Sequence, residues 1–179
     1  RRGPITIDGA VMPAAPAETF RQRRHNDVPV MLGFTRDESF RSLGSVKSVA
    51  DYDAAIRKAF PQTADAVLKA YPVKTDADVA RAVADVQRGS SLGVQMAGWA
   101  RAQTSPTWAW FFTRRQPYAE GVSFSDHEPA TVGAYHTGDV PYWLGTLDAL
   151  NLFRTTRNWQ AGDRVLSDTM SSMIVAFAR

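Results

Sequence analysis

Two short apolar runs limit the possible folds more than anything else in this chain. Val28 to Phe34 is a continuous apolar stretch interrupted only by Pro29 near its start, and Thr107-Trp108-Ala109-Trp110-Phe111-Phe112-Thr113 is an aromatic run bounded by Pro106 and Arg114. Neither alternates polar with apolar residues, as suits strands covered on both faces. The chain between them is patterned for helices. Strands joined by a long helical crossover lie parallel, with helices on the faces of the sheet. The expected class is therefore α/β, with two central parallel strands and flanking helices. Two parallel strands that need cover on both faces do not make a stable sheet alone, so the fold is expected to be incomplete by itself.

The helical patterning has specific starts. Ser48 precedes Asp51 by three residues, and Val49, Tyr52, Ile56 and Ala59 then recur on one face. Pro61 and Pro72 bracket a shorter helix over Ala64–Ala70. Thr75 with Asp78 repeats the cap-like start, followed by Val79, Ala82, Val83 and Val86 at helical spacing. Gly89 and Gly93 predict a break, with a further helix over Val94–Gln103. From Asp163 onward, Leu166, Met170, Met173, Ile174 and Phe177 form one stripe of a terminal helix. Residues 1–27 carry Pro4, Gly9, Pro13 and Pro16, too many breakers for a regular element.

Composition narrows the functional classes. At 179 residues with 44% hydrophobic content the chain is the size and polarity of one globular domain. The absence of cysteine excludes disulfides, thiolate chemistry and cysteine-ligated metal within the chain, and it fits a reducing, cytoplasmic compartment. A leader upstream of Arg1-Arg2-Gly3-Pro4 would leave secretion open. No apolar run reaches the length of a membrane span. Arg21-Gln22-Arg23-Arg24-His25 is the one basic cluster, and it reads as a solvated turn rather than a nucleic-acid contact.

The chemistry concentrates beyond the strands. After the first comes Thr35-Arg36-Asp37-Glu38-Ser39; after the second, a long irregular loop delivers Gly133-Ala134-Tyr135-His136-Thr137-Gly138-Asp139. Long loops within compact domains are commonly functional. Open α/β sheets build their sites at the C-terminal ends of parallel strands. A histidine oriented by a carboxylate is the base half of acyl-transfer catalysis. A nucleophile elbow of the form G-x-S-x-G is present at Gly89-Ser90-Ser91-Leu92-Gly93. It follows a helical pattern rather than a strand, and the order acid, serine, histidine differs from the serine, acid, histidine order of α/β-hydrolases. Ser91 is therefore expected to be a helix-break residue rather than the nucleophile.

Pro29-Val30-Met31-Leu32-Gly33-Phe34-Thr35-Arg36-Asp37-Glu38-Ser39 closely resembles the acid-bearing segment of type-B carboxylesterases, the family of cholinesterases and para-nitrobenzyl esterases. Gly133-Ala134-Tyr135-His136 through Pro141-Tyr142-Trp143-Leu144-Gly145 resembles that family's histidine segment. Weaker likenesses run from Pro4 to Pro13, over Trp108–Phe112 and along Leu166–Ala178. The resemblance implies the C-terminal part of an α/β-hydrolase fold over residues 1–179, with Glu38 rather than Asp37 as the triad acid and His136 as the base. Asp139 matches an acid that the family carries near the histidine, which implies support of the loop or the imidazole; a helix-start cap is the ordinary alternative. Trp143 and Leu144 either border the pocket or pack into the core, the commoner outcome. The implied reaction is hydrolysis of a small-molecule carboxylic ester through an acyl-enzyme, without metal or organic cofactor. The resemblance places the serine elbow and oxyanion loop in an N-terminal portion upstream of residue 1, so this chain is expected to be inactive alone. The rival is an esterase-like binding or adhesion domain, which the presence of both acid and histidine disfavours.

Overall fold

The computed structural model describes residues 6–39 and 42–179. Pro4 and the first residues of the Pro4–Pro13 likeness lie outside the described residues. A short helix α1 (Pro16–Arg21) is followed by strand β1 (Val30–Thr35), then helices α2 (Val49–Ala59), α3 (Ala64–Ala70), α4 (Asp76–Arg88) and α5 (Val94–Ala102). Strand β2 (Thr107–Phe112), helix α6 (Val140–Trp143) and helix α7 (Ala161–Ala178) complete the order. The α1 helix departs from the irregular reading of residues 1–27. Pro16 opens it at a position where the missing amide hydrogen is not needed, and Glu18 pairs with Arg21 across one turn.

The strands pair in parallel, with Val30 opposite Thr107 and Thr35 opposite Phe112. Register sorts their side chains onto two faces. Trp108, Trp110 and Phe112 meet α6 and α7: Trp108 lies 5.5 Å from Phe177, Trp110 5.3 Å from Trp143 and Phe112 5.2 Å from Tyr142. On the other face Phe34 stacks against Phe111 at 5.2 Å, under the Arg88 guanidinium. Gly33 sits opposite Trp110, where a methyl group would collide with both the Trp110 carbonyl and its indole. A side chain there would push the strands apart.

The capping boxes expected at Ser48/Asp51 and Thr75/Asp78 are both formed. With Ala64–Ala70 they set up a core of Tyr52, Ile56, Ala64, Ala82 and Val86. A second core joins Phe112, Ala134, Tyr142, Leu147 and Met170, directly behind the histidine loop. The helix does not break at Gly89 and Gly93. It continues as a five-residue π-helical segment whose Ser91 and Leu92 are buried. Packing of that turn outweighs the cost of about 1 kcal/mol per glycine, and a methyl group at Gly89 would displace the Tyr71 hydroxyl.

Among the described residues β1 and β2 pair only with each other. The expected cover on both faces is therefore partial: Trp108 and Phe111 are half exposed, and the α7 stripe leaves Met173 and Phe177 open. Among the described residues no helix is long and apolar enough to cross a membrane.

Candidate active site

The acid loop begins where β1 stops. Arg36 continues the ladder by donating its amide to the Phe112 carbonyl at 2.8 Å. The chain then turns back, and the Thr35 amide donates to Glu38 Oε1 at 2.9 Å. Helix α4 holds the far side of this loop. The Ser39 hydroxyl donates to the Gln87 carbonyl, and an Arg88 guanidinium nitrogen donates to the Arg36 carbonyl at 3.1 Å.

Asp37 clamps this loop to the histidine loop. Its amide donates to the Ala134 carbonyl at 2.9 Å, and its carboxylate accepts the Ala134 amide at 2.6 Å. Burial works to raise its pKa, but the Arg36 guanidinium and the Ala134 amide outweigh it and hold the carboxyl below its ordinary value. Gly133, beside the clamp, has φ +68° and its Cα lies against Asp37, so no side chain fits there. Sequence reasoning dismissed Asp37 as the wrong carboxylate of the pair. Its adjacency to Glu38 concealed a second job.

His136 and Thr137 form the centre of a turn closed by the Gly138 amide donating to the Tyr135 carbonyl at 2.9 Å. Thr137 has φ +70°, a conformation that a β-branched residue adopts at a cost of roughly 1–3 kcal/mol. This turn brings His136 Nδ1 to 2.5 Å from Glu38 Oε2, across 98 positions of sequence. The Glu38 side chain is 8% exposed and that of His136 65% exposed. A carboxylate can only accept, so Nδ1 carries the hydrogen and Nε2 is left as the nitrogen that can take up a proton. Both Glu38 oxygens are thereby engaged, one by a strand-end amide and one by the imidazole.

Asp139 is buried and its Oδ2 accepts the Trp143 indole N–H at 2.9 Å. Its carboxylate does not cap α6, although it stands at the N-cap position just before Val140. Burial pushes its pKa up and the nearby Glu38 charge adds to this, against its own amide, Trp143 and His136. An acid with a raised folded pKa favours the protonated form on folding. The fold therefore loses stability as pH rises from the ordinary value of 3.8 through the raised one. Asp139→Asn keeps an acceptor for the indole and removes that penalty. Thermal melts should show the variant at least as stable as the parent at about pH 7, with the difference closing on acidification. Trp143 packs at the edge of the second core, whereas Leu144 is 64% exposed. Leu144 is thus not the core residue expected, because the short α6 turns it outward.

Ser91 lies in the π-helical segment, 4% exposed, with helical backbone at Gly89 and Gly93 on either side of it. The strand-to-helix turn that would lift a serine oxygen is absent there. Polar groups that sequence reasoning missed lie behind the histidine loop. Gln116, Tyr135 and Arg157 form a buried network, and Asp163 joins Arg114 and Tyr142. Gln116 and Arg157 carry no periodic or motif signal, and Tyr135, Tyr142 and Asp163 show in the sequence only as members of the histidine segment or the start of the terminal helix. A cleft of about 540 Å³ runs beside β2 and α7, lined by Trp110, Phe112, Trp143, Met170 and Arg114; neither Glu38 nor His136 lines it. Among the described residues, no three of His, Asp and Glu cluster as a metal site.

Parallel strands that deliver a carboxylate and a histidine from their C-terminal ends form part of an α/β-hydrolase fold, a class supported by structural likeness to a PNB esterase. That match has a TM-score of 0.63 at 22% identity, over 96% of this chain and 33% of the esterase chain. The chain belongs to the carboxylesterase family, whose model matches residues 1–179. It is 31% identical over 185 residues to the fumonisin B1 esterase of Sphingopyxis macrogoltabida, across 98% of this chain. The chain spans about a third of the length of both relatives, 32% and 33% respectively.

Proposed function

We propose that residues 1–179 are the C-terminal portion of a serine carboxylesterase domain and supply its acid and base. The observation that carries this reading is the Glu38–His136 contact, made between two loops at adjacent strand ends. Glu38 fixes the imidazole with Nδ1 protonated. His136 Nε2 takes the proton of a serine hydroxyl as that oxygen attacks the ester carbonyl, and returns it to the departing alcohol. The same nitrogen then activates water to release the carboxylic acid from the acyl-enzyme. Asp139 supports the loop from beneath through Trp143.

The serine and the oxyanion donors belong, in this reading, to a preceding portion of the same fold, which would also cover the open strand edge and the half-exposed Trp108 and Phe111. The substrate is a small-molecule carboxylic ester, and the chemistry requires no cofactor. A substrate panel should include fumonisin B1, after the name of the relative. The purified chain should not hydrolyse a p-nitrophenyl ester above background. The same chain joined to the preceding portion of its fold should do so, dependent on His136. Hydrolysis by the chain alone, abolished by Ser91→Ala, would overturn the assignment.

A further inference from the structure

The histidine turn rests on a buried cation that, among the described residues, has no acidic partner. Arg157 is 5% exposed and forms no ion pair among the described residues. Its guanidinium donates Nε–H to Gln116 Oε1 at 2.6 Å, reaches the Thr156 carbonyl at 3.3 Å, and lies over the Tyr118 ring at 4.0 Å and near Phe124 at 5.1 Å. Burying a charge is costly without compensation, so aromatic faces and neutral acceptors must stand in for a carboxylate.

The arrangement has a directional consequence. A guanidinium only donates, so the oxygen of the Gln116 amide must face Arg157 and the NH2 must face away. That NH2 donates to the Gly138 carbonyl at 2.8 Å. The same Gln116 oxygen also accepts the Tyr135 hydroxyl at 3.2 Å. Tyr135 and Gly138 are the two ends of the turn that carries His136 and the positive-φ Thr137. One side chain therefore holds both ends of a strained turn, and a fixed cation sets its orientation. Gln116 is itself buried, at 5% exposure.

We propose that Gln116, polarised by Arg157, is a positioning residue that holds His136 at its contact with Glu38. The proposal rests on the acid–base reading above and deepens it. Gln116→Glu separates positioning from folding. The new carboxylate gains an ion pair with Arg157 yet places an acceptor against the Gly138 carbonyl, so it should keep the core and release the turn.

The test uses the imidazole resonances, which only His25, His127 and His136 contribute. In the parent chain the His136 Nδ1 proton should be protected from exchange, and in Gln116→Glu it should broaden beyond detection while Tm stays within about 4 °C. If Gln116→Glu does not fold, Tyr135→Phe removes one tether more gently and should still speed exchange of that proton several-fold. An unchanged Nδ1 signal in a folded Gln116→Glu, or in Tyr135→Phe if the first does not fold, overturns the proposal. In the chain joined to its preceding portion, Gln116→Glu should lower kcat by about 10²-fold with KM little changed. Glu38→Gln is the control that tells the two failures apart. Full activity in Glu38→Gln sinks the acid–base reading, whereas loss there with full activity in Gln116→Glu sinks only the positioning role.

Discussion

Glu38→Gln should lower kcat/KM for ester cleavage by about 10⁴-fold in a protein that carries this chain together with its nucleophile. The magnitude follows from counting acceptors. Glu38 receives two hydrogens, the Thr35 amide on Oε1 and the His136 Nδ1–H on Oε2. Glutamine offers one oxygen and one NH2. If the oxygen faces the imidazole, the NH2 meets the Thr35 amide hydrogen in a buried place, where an unsatisfied donor costs about 1–3 kcal/mol. If the NH2 faces the imidazole instead, Nδ1 must accept and Nε2 carries the hydrogen. That tautomer cannot take a proton from a serine. Either arrangement damages the base, and the second removes it. Steady-state kinetics on a p-nitrophenyl ester reads the loss, and circular dichroism should show the fold retained.

The largest expected stability effect lies behind the site. Asp163 is wholly buried, bound by Arg114 at 2.7 and 2.9 Å, by the Tyr142 hydroxyl at 2.8 Å and by the Gln160 amide at 2.9 Å. It ties the start of α7 to α6 and to the exit of β2. Burial alone would raise its pKa. Arg114, the Gln160 amide and Tyr142 outweigh this and hold it below the ordinary 3.8. Tyr142, by contrast, is pushed up by burial and by the Asp163 charge. Arg114→Met leaves the carboxylate buried without its cation and should cost about 3–5 kcal/mol by denaturant unfolding. Arg114→Met with Asp163→Asn should cost less than Arg114→Met alone, since the stranded charge goes too. The pH dependence has opposite signs in the two proteins. In the parent, a depressed carboxylate stabilises above its ordinary pKa and that contribution is lost as pH falls through the folded value. In Arg114→Met the unpaired acid favours protonation, so the deficit relative to the parent should shrink on acidification.

The parallel pair of strands, the two capping boxes and the Glu38 and His136 loops were legible because each has a local signature: an apolar run, a spaced Ser/Thr–Asp pair, a carboxylate or histidine just past a strand. The π-helical segment was not, because the glycines that argue for a break are outvoted by the burial of Ser91 and Leu92, which only tertiary packing reveals. The clamp made by Asp37 on the Ala134 backbone was not legible, because its partner lies 97 positions away and nothing local marks it. Gln116 and Arg157 left no trace at all, and Asp163 showed only as the start of the terminal helix. They are polar residues in or beside an irregular stretch, and their meaning comes from partners 22 to 49 positions away. Leu144 is the converse case: of the two places open to it, pocket border or core, its exposure excludes the core.

The most direct measurement is the tautomeric state of His136, read from its imidazole nitrogen and proton resonances in the chain and in Glu38→Gln. The expected result is a hydrogen fixed on Nδ1, strongly deshielded and slow to exchange, with Nε2 unprotonated once the imidazole is neutral, and loss of this signature in Glu38→Gln. A His136 that exchanges freely between tautomers, with resonances indifferent to Glu38→Gln, would contradict the assignment of these two residues as an acid–base pair.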